Sequence, residues 1–178
     1  SQPRDASATT DSDIEISIDT TPVDGSITPK VSLVNRETAL NFKGLKGTLM
    51  LVEQAKGRPD KFRVVAVEKF TGDVAANGKT DFVAAAHPTE EAPAKPGQDE
   101  WIYSGYVFVL QNAGGDIIQF RHSDSYRKTG AESLKLSTGT VFLVRNRAGP
   151  TRARATSARR QLENVAPTRS VLPLHLRR

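Results

Sequence analysis

Apolar and polar residues alternate in several short runs of this chain. The isoleucines of residues 14–18 occupy every second position, and Val31 and Leu33 repeat the pattern within residues 30–35. Successive side chains of a β-strand point to opposite faces of a sheet. Alternation with a period of two therefore predicts strands that bury one face and expose the other.

Two further runs are apolar at consecutive positions, which predicts strands buried on both faces at the centre of a sheet. A segment rich in glycine, proline, asparagine or aspartate follows each run, and a second apolar run then returns. Each pair is expected to form an antiparallel β-hairpin. The two predicted hairpins join residues 47–55 to 61–70 and residues 101–110 to 117–120.

Seven or eight short strands at fairly regular spacing favour an all-β fold, a single antiparallel β-sandwich, over alternating βα units. Residues 140–144 supply the last predicted strand, and residues 123–135 hold one predicted helical turn. Residues 79–86 contain three consecutive alanines and suit a helix as well as a strand. Residues 87–100 contain three prolines and predict a long exposed loop.

The positive charge of the chain is concentrated at its C-terminal end. Residues 144–178 contain nine arginines, one glutamate and no lysine, a net charge of +8, whereas residues 1–143 contain sixteen Lys and Arg against nineteen Asp and Glu, a net charge of −3. The first twelve residues are polar, and we expect them to lack structure of their own. The sequence predicts three parts: a polar N-terminal arm (1–12), a β-sandwich domain (13–147) and a basic C-terminal extension (148–178).

Arginine binds carboxylates in a bidentate manner and neutralises phosphates, so the extension can bind an acidic protein surface or a nucleic acid. No aromatic residue follows Phe142, which leaves base stacking without a side chain to support it. A helical stripe of apolar residues after Pro150 would place arginines on its opposite face. We expect a homo-oligomer or other protein subunits as partners, with nucleic acid as the alternative. The arginines assigned to partner binding are Arg145, Arg147, Arg152, Arg154, Arg159, Arg160 and Arg169.

One run resembles a phosphate-binding loop because residues 72–80 end in Gly-Lys-Thr. Five residues separate Gly72 from Gly78, whereas a P-loop requires four so that successive N–H groups can surround the phosphates. Pro88 also leaves no room for the long helix that should follow. A flexible loop between strands is the favoured interpretation.

Residues 122–125, His-Ser-Asp-Ser, contain the residue types of a hydrolase triad. Known triads assemble from distant segments, so a solvated strand end is the favoured interpretation. The chain has no cysteine, which excludes disulfides, cysteine-ligated metals and thiol nucleophiles. Its three histidines, His87, His122 and His175, would have to converge from separate regions to bind zinc. The sequence therefore predicts no enzyme, no cofactor and no metal.

Asp11, Asp13 and Glu15 carry carboxylates of the type that binds calcium, but Ile16 stands where an EF-hand loop requires glycine. A solvated strand face is favoured, with calcium in an extracellular sandwich as the alternative.

Trp101 and Tyr103 share one face of their predicted strand, as a stacking platform for a sugar or a base would require, whereas Tyr106 lies on the other face. Packing in the core, with hydrogen-bonded hydroxyls, is the favoured role of these rings.

Three segments, Val31–Asn35, Phe42–Gly47 and Tyr103–Leu110, resemble immunoglobulin-like accessory domains of exported bacterial proteins. The resemblance covers residues 30–144. It implies an immunoglobulin-like β-sandwich in a non-catalytic module of a secreted protein, with an extracellular or periplasmic location. No apolar stretch is long enough for a spanning helix, so no membrane span is expected.

Overall fold

Almost all regular structure in the described residues is β-strand. The computed structural model describes residues 1–11, 13–89 and 93–144. In these residues the elements follow in the order β1 (Arg4–Ala6), β2 (Glu15–Asp19), β3 (Ser26–Ile27), β4 (Lys30–Val34), β5 (Leu40–Ala55), β6 (Arg58–Val74), β7 (Lys79–Val83), β8 (His87–Pro88), β9 (Trp101–Gln111), β10 (Ile117–His122), α1 (Gly130–Ser133) and β11 (Val141–Leu143). The all-β prediction is confirmed.

The central sheet is built on β5 and β6, strands of 16 and 17 residues that form one hairpin. Its strands run in the order β10-β9-β5-β6-β11, all antiparallel, and β1 pairs in parallel with the start of β5. β5 therefore lies between β6 and β9, as its apolar run predicts. The hairpin turn is Lys56-Gly57, shorter than the predicted turn at residues 57–60. Gly57 has a φ of +75°, a conformation that glycine adopts without steric cost.

One face of the central sheet is covered by two smaller sheets, β2-β4-β7 and β3-β8. Ile16 of β2 and Leu33 of β4 pack with Leu49 of β5 and Phe108 of β9 in the largest buried cluster. Apolar faces of two sheets that meet in this way give a sandwich-like arrangement. The alternation of apolar residues in β2 is thereby explained, because its outward positions face solvent. In β4 the outward Ser32 is buried, since β4 lies between β2 and β7.

The opposite face of the central sheet is covered by the segment that leads from β10 to β11. Tyr126 and Phe142 pack there against Met50, Val52 and Phe62. The Tyr126 hydroxyl lies 2.6 Å from Oγ of Ser133 in α1, the predicted helical turn. Burial raises the pKa of Tyr126. β5 is thus buried on both faces and contributes to all three buried clusters, with Leu51 in the third.

Some strands differ from the sequence-based expectations. Residues 79–83 form β7, a strand rather than a helix, because they pair along their whole length with β4 and Phe82 stacks on Phe70 with ring centres 4.0 Å apart. β8 lies within the predicted loop at residues 87–100 and pairs with β3. The first half of β9 is not buried on both faces, since Ile102 is 51% exposed.

The first eleven residues are more ordered than predicted for an arm without structure of its own. They contain β1, and Ala8 is fully buried in the largest cluster. Together with the rest of the described chain to Val144, they belong to one compact unit. None of the helical structure in the described residues is long and apolar enough to cross a membrane.

Candidate functional site

The seven arginines assigned to partner binding, from Arg145 to Arg169, follow Val144, the last described residue. Their placement, and that of the basic extension, lies outside the described residues. Their assignment to partner binding and the boundary at residue 147 therefore stay predictions.

The segment that resembled a phosphate-binding loop is the turn between β6 and β7. Asn77 has a φ of +51°, and the N–H of Gly78 donates to the carbonyl of Ala75 at 2.9 Å. The hydroxyl of Thr80 donates to the carbonyl of Asp73 at 2.7 Å. The N–H groups of Ala76 and Asn77 donate to Oδ1 of Asn41 and to the carbonyl of Glu37. These donors are thus used within the chain, and the segment is a loop between strands.

The His-Ser-Asp-Ser run does not assemble a nucleophile and a base. Nδ1 of His122 lies 2.8 Å from the carbonyl oxygen of Ser123, so the imidazole bonds to backbone. Its ring lies beside Phe120, with ring centres 5.0 Å apart. Oγ of Ser125 lies 3.3 Å from Oγ of Ser104. These contacts fit the end of a strand, with His122 exposed.

Of the three candidate calcium ligands near the N-terminus, Asp13 and Glu15 bond to neighbouring groups of the chain. Asp13 accepts the N–H groups of Thr9 and Thr10 at 2.8 and 3.0 Å. Burial acts to raise the pKa of Asp13, but the bonds from Thr9 and Thr10 outweigh it and lower the pKa. Glu15 forms an ion pair with Arg36 at 2.5 Å, and this hydrogen bond lowers the pKa of Glu15. The described residues contain no group of three or more His, Cys, Asp or Glu able to hold a metal ion.

The aromatic residues of β9 are bonded within the chain. The guanidinium of Arg63 lies 4.6 Å from the centre of the Trp101 ring and is held by a 2.5 Å ion pair with the buried Glu53. The hydroxyl of Tyr103 donates to Oγ1 of Thr20 at 2.8 Å, and burial raises the pKa of Tyr103. Arg63 therefore occupies one face of the indole. Tyr103 and Tyr106 pack against buried clusters, as predicted, whereas Trp101 is only partly buried and belongs to none of these clusters.

An open groove of about 1100 Å³ lies beside this cluster. Its lining includes Trp101, Arg63, Asp99 and Lys95, so it combines an aromatic ring with both signs of charge. No part of the sequence pattern predicted it.

The outer edge of the central sheet at β11 is a second candidate site. The sequence pattern did not predict this site either. Phe142 faces inward and stacks on Phe62 with ring centres 5.7 Å apart. Val141 and Leu143 are 49% and 60% exposed. Alternate residues of an antiparallel strand bond to its neighbour. Since Phe142 pairs with Phe62 and Val144 donates to Asp60 at 2.7 Å, the backbone groups of Val141 and Leu143 point away from β6.

β11 is an edge without the usual protection. Exposed edge strands are normally blunted by charged residues or proline, which disfavour pairing with another chain. Among strands of three or more residues that end a sheet in the described part of the chain, β11 alone has neither. The protected edges are β1, β2, β7 and β10, each with two or more charged residues or a charged residue and a histidine.

The cations next to β11 are neutralised within the same chain. Lys61 and Arg63 are the β6 partners of Leu143 and Val141. Lys61 pairs with Asp99 at 2.5 Å, and Arg63 pairs with Glu53 at the same distance. The edge therefore combines exposed apolar side chains with little uncompensated charge in the adjoining strand.

Comparison of the chain with models of protein families and with curated proteins finds no match. The fold and the edge define the class: an all-β, sandwich-like protein whose described residues include an edge strand of the central sheet without charged residues or proline.

Proposed function

We propose that this chain is a non-catalytic structural or interaction protein, a subunit that associates with further copies of itself by pairing β11 of two molecules. The observation that carries the proposal is the exposed, uncharged outer edge of β11. Its outward N–H and C=O groups form a template on which another strand can add.

A two-fold axis at Phe142 gives the pairing geometry. Val141 then lies opposite Leu143 of the partner subunit, and Leu143 lies opposite Val141 of the partner subunit. A self-complementary interface requires this reciprocal pairing. Two such hydrogen-bonded pairs form about four main-chain bonds. Each apolar cross-strand pair adds roughly 0.2–1 kcal/mol. Because the cations of β6 are paired internally, the two edges meet without strong repulsion.

A three-residue strand alone falls short of the roughly 1,000 Å² that a specific interface buries. The basic extension supplies a second contact in this proposal. The extension lies within residues 144–178, whose net charge of +8 is opposite in sign to the −3 of residues 1–143. Attraction between the extension of one copy and the body of another therefore adds to the pairing of the edges.

Replacing Leu143 with lysine should weaken self-association at least about tenfold, about 1.4 kcal/mol, because the lysine places a charge in the proposed seam. The melting temperature should change little, since Leu143 is exposed. Sedimentation equilibrium over a concentration series measures the association. The matched control is Val83→Lys, which changes a residue 65% exposed on β7. A wild-type chain that stays monomeric, or equal loss in the control, would contradict β11 pairing.

The second candidate function is binding of nucleic acid or another polyanion by the basic extension, favoured by its seven arginines after residue 147. Deleting residues 148–178 should weaken self-association and leave the sandwich folded, because the described buried clusters are built from residues up to Val144. Light scattering and fluorescence anisotropy with DNA and RNA near physiological salt compare the two chains. A full-length monomer that binds nucleic acid tightly, with binding lost on truncation and falling steeply with salt, would favour the second function.

The proposal includes an immunoglobulin-like family for the fold and a cellular location for the protein. The resemblance of residues 30–144 to immunoglobulin-like accessory domains supports an immunoglobulin-like module of a secreted protein, extracellular or periplasmic. A non-catalytic role agrees with the described contacts of His122 and of the β6–β7 turn, which use their polar groups within the chain.

A further inference from the structure

The N-terminal segment, residues 1–11, makes little apolar contact with the rest of the described chain, which we call the body. β1 pairs with the start of β5 over three residues. Ala8 is fully buried and Ala6 partly buried in the largest cluster, whereas the other residues of the segment are polar or proline. A short ladder and two alanines give the segment a small share of the hydrophobic stabilisation.

Two amide side chains of the body hold this region by its carbonyl groups. Nδ2 of Asn112 donates to the carbonyl of Ala8 at 3.1 Å. Nε2 of Gln119 donates to the carbonyl of Asp11 at 2.6 Å and also to that of Ile14. We call Asn112 and Gln119 the amide pair. Since it bonds main-chain oxygens, it recognises an extended backbone more than particular side chains.

The amide pair is buried, and Asn112 is also held by a contact within the body. Asn112 and Gln119 are only 6% and 8% exposed. Oδ1 of Asn112 accepts the N–H of Asp116 at 2.9 Å, which fixes the amide and aims its Nδ2 at the segment. A buried amide N–H without an acceptor costs about 1–3 kcal/mol. The body therefore holds a groove that requires an extended chain with a small residue at the position of Ala8.

The segment can leave this groove at low cost. It carries few buried apolar contacts, and such regions open far more readily than the core. The turn that connects it to β2 is held by exposed bonds from Thr9 and Thr10 to Asp13. Release separates only the three-residue β1 from β5, and β2 keeps its own pairing with β4.

We propose that the groove formed by the amide pair and the start of β5 is a peptide-binding site whose partner is the N-terminal segment of a second copy of this chain. The two copies have the same sequence, so every contact of the segment can be made between molecules as well as within one. A tethered segment has an effective concentration on the order of millimolar. Exchange is therefore expected when copies are concentrated together, and it is independent of β11 pairing.

Mixing of two single-cysteine chains tests the exchange, since the chain has no cysteine of its own. Arg4 and Leu40 are direct partners in the β1–β5 pair. Chains with Arg4→Cys and chains with Leu40→Cys, incubated together and oxidised, should give a disulfide-linked heterodimer whose yield rises with concentration. The control replaces the second chain with Val83→Cys. A heterodimer yield several-fold above the control supports exchange, and a yield equal to the control overturns it.

A peptide competition gives a second readout on the full chain. Ala8→Asp places a charge in a fully buried position and should release the segment. A fluorescent peptide of residues 1–11 should then bind this variant at least about tenfold more tightly than the wild-type chain. The same peptide with Ala8→Asp should not bind. Circular dichroism checks that the variant is folded. A folded variant with no gain in binding overturns the proposal, and if the variant unfolds, the cysteine experiment decides.

Discussion

Replacing Phe108 with aspartate should unfold the protein. Phe108 is fully buried in β9, between β5 and β10, and lies in the largest cluster. Loss of a buried phenylalanine costs about 3–5 kcal/mol, and an unpaired charge in the core adds several more. The total is comparable with the roughly 5–15 kcal/mol that stabilises a typical domain.

Far-UV circular dichroism during thermal and urea denaturation measures this effect. The matched control is Ile102→Asp, a change on the same strand at a residue that is 51% exposed. We expect the control to retain a cooperative transition close to that of the wild type. A Phe108→Asp chain that melts at an unchanged temperature would show that β9 is not central to the core.

Replacing Gly47 with valine should lower the free energy of unfolding by at least about 2 kcal/mol, although valine favours strands. A Cβ atom at this position would lie 2.1 Å from Cε2 of Phe70, the residue paired with Gly47 across β5 and β6. The Phe70 ring has little room to move, because ring centres of Phe82 and Phe108 lie 4.0 and 6.0 Å away.

A double-mutant cycle identifies the cause of this loss. If the clash with the ring is responsible, Gly47→Val should be much less damaging in a Phe70→Ala background, and urea denaturation of the four chains gives the coupling energy. Equal losses in both backgrounds would point to the glycine backbone and contradict the clash.

The longer strands could be predicted because their patterns of apolar and polar residues extend over many positions. Residues 49–52 are apolar at consecutive positions because β5 has a paired strand on each side and a buried cluster on each face. Strands of two or three residues, such as β3 and β8, show no period. The pattern places the first strand of the β5–β6 hairpin at residues 47–55, whereas β5 begins at Leu40, because a bulge near Gly44, with a φ of +66°, lets the strand continue.

The docking of the N-terminal segment could not be read from its own residues. The segment accepts hydrogen bonds through its carbonyl groups, which every residue has. The side chains that donate these bonds, Asn112 and Gln119, lie more than one hundred positions away. The strand at residues 140–144 was predicted, but its place at an edge depends on the order of all the strands. The arginines of the extension lie outside the described residues, so their role stays a prediction.

The long strand β5 also determines how the molecule unfolds. Phe42 and Leu49 anchor one buried cluster, Met50 and Val52 a second, and Leu51 a third, all within a single strand. Loosening any one cluster exposes a strand on which the other two depend. The sheets should therefore melt cooperatively, as one folding unit, and partial unfolding should be confined to elements that β5 does not need for its own burial.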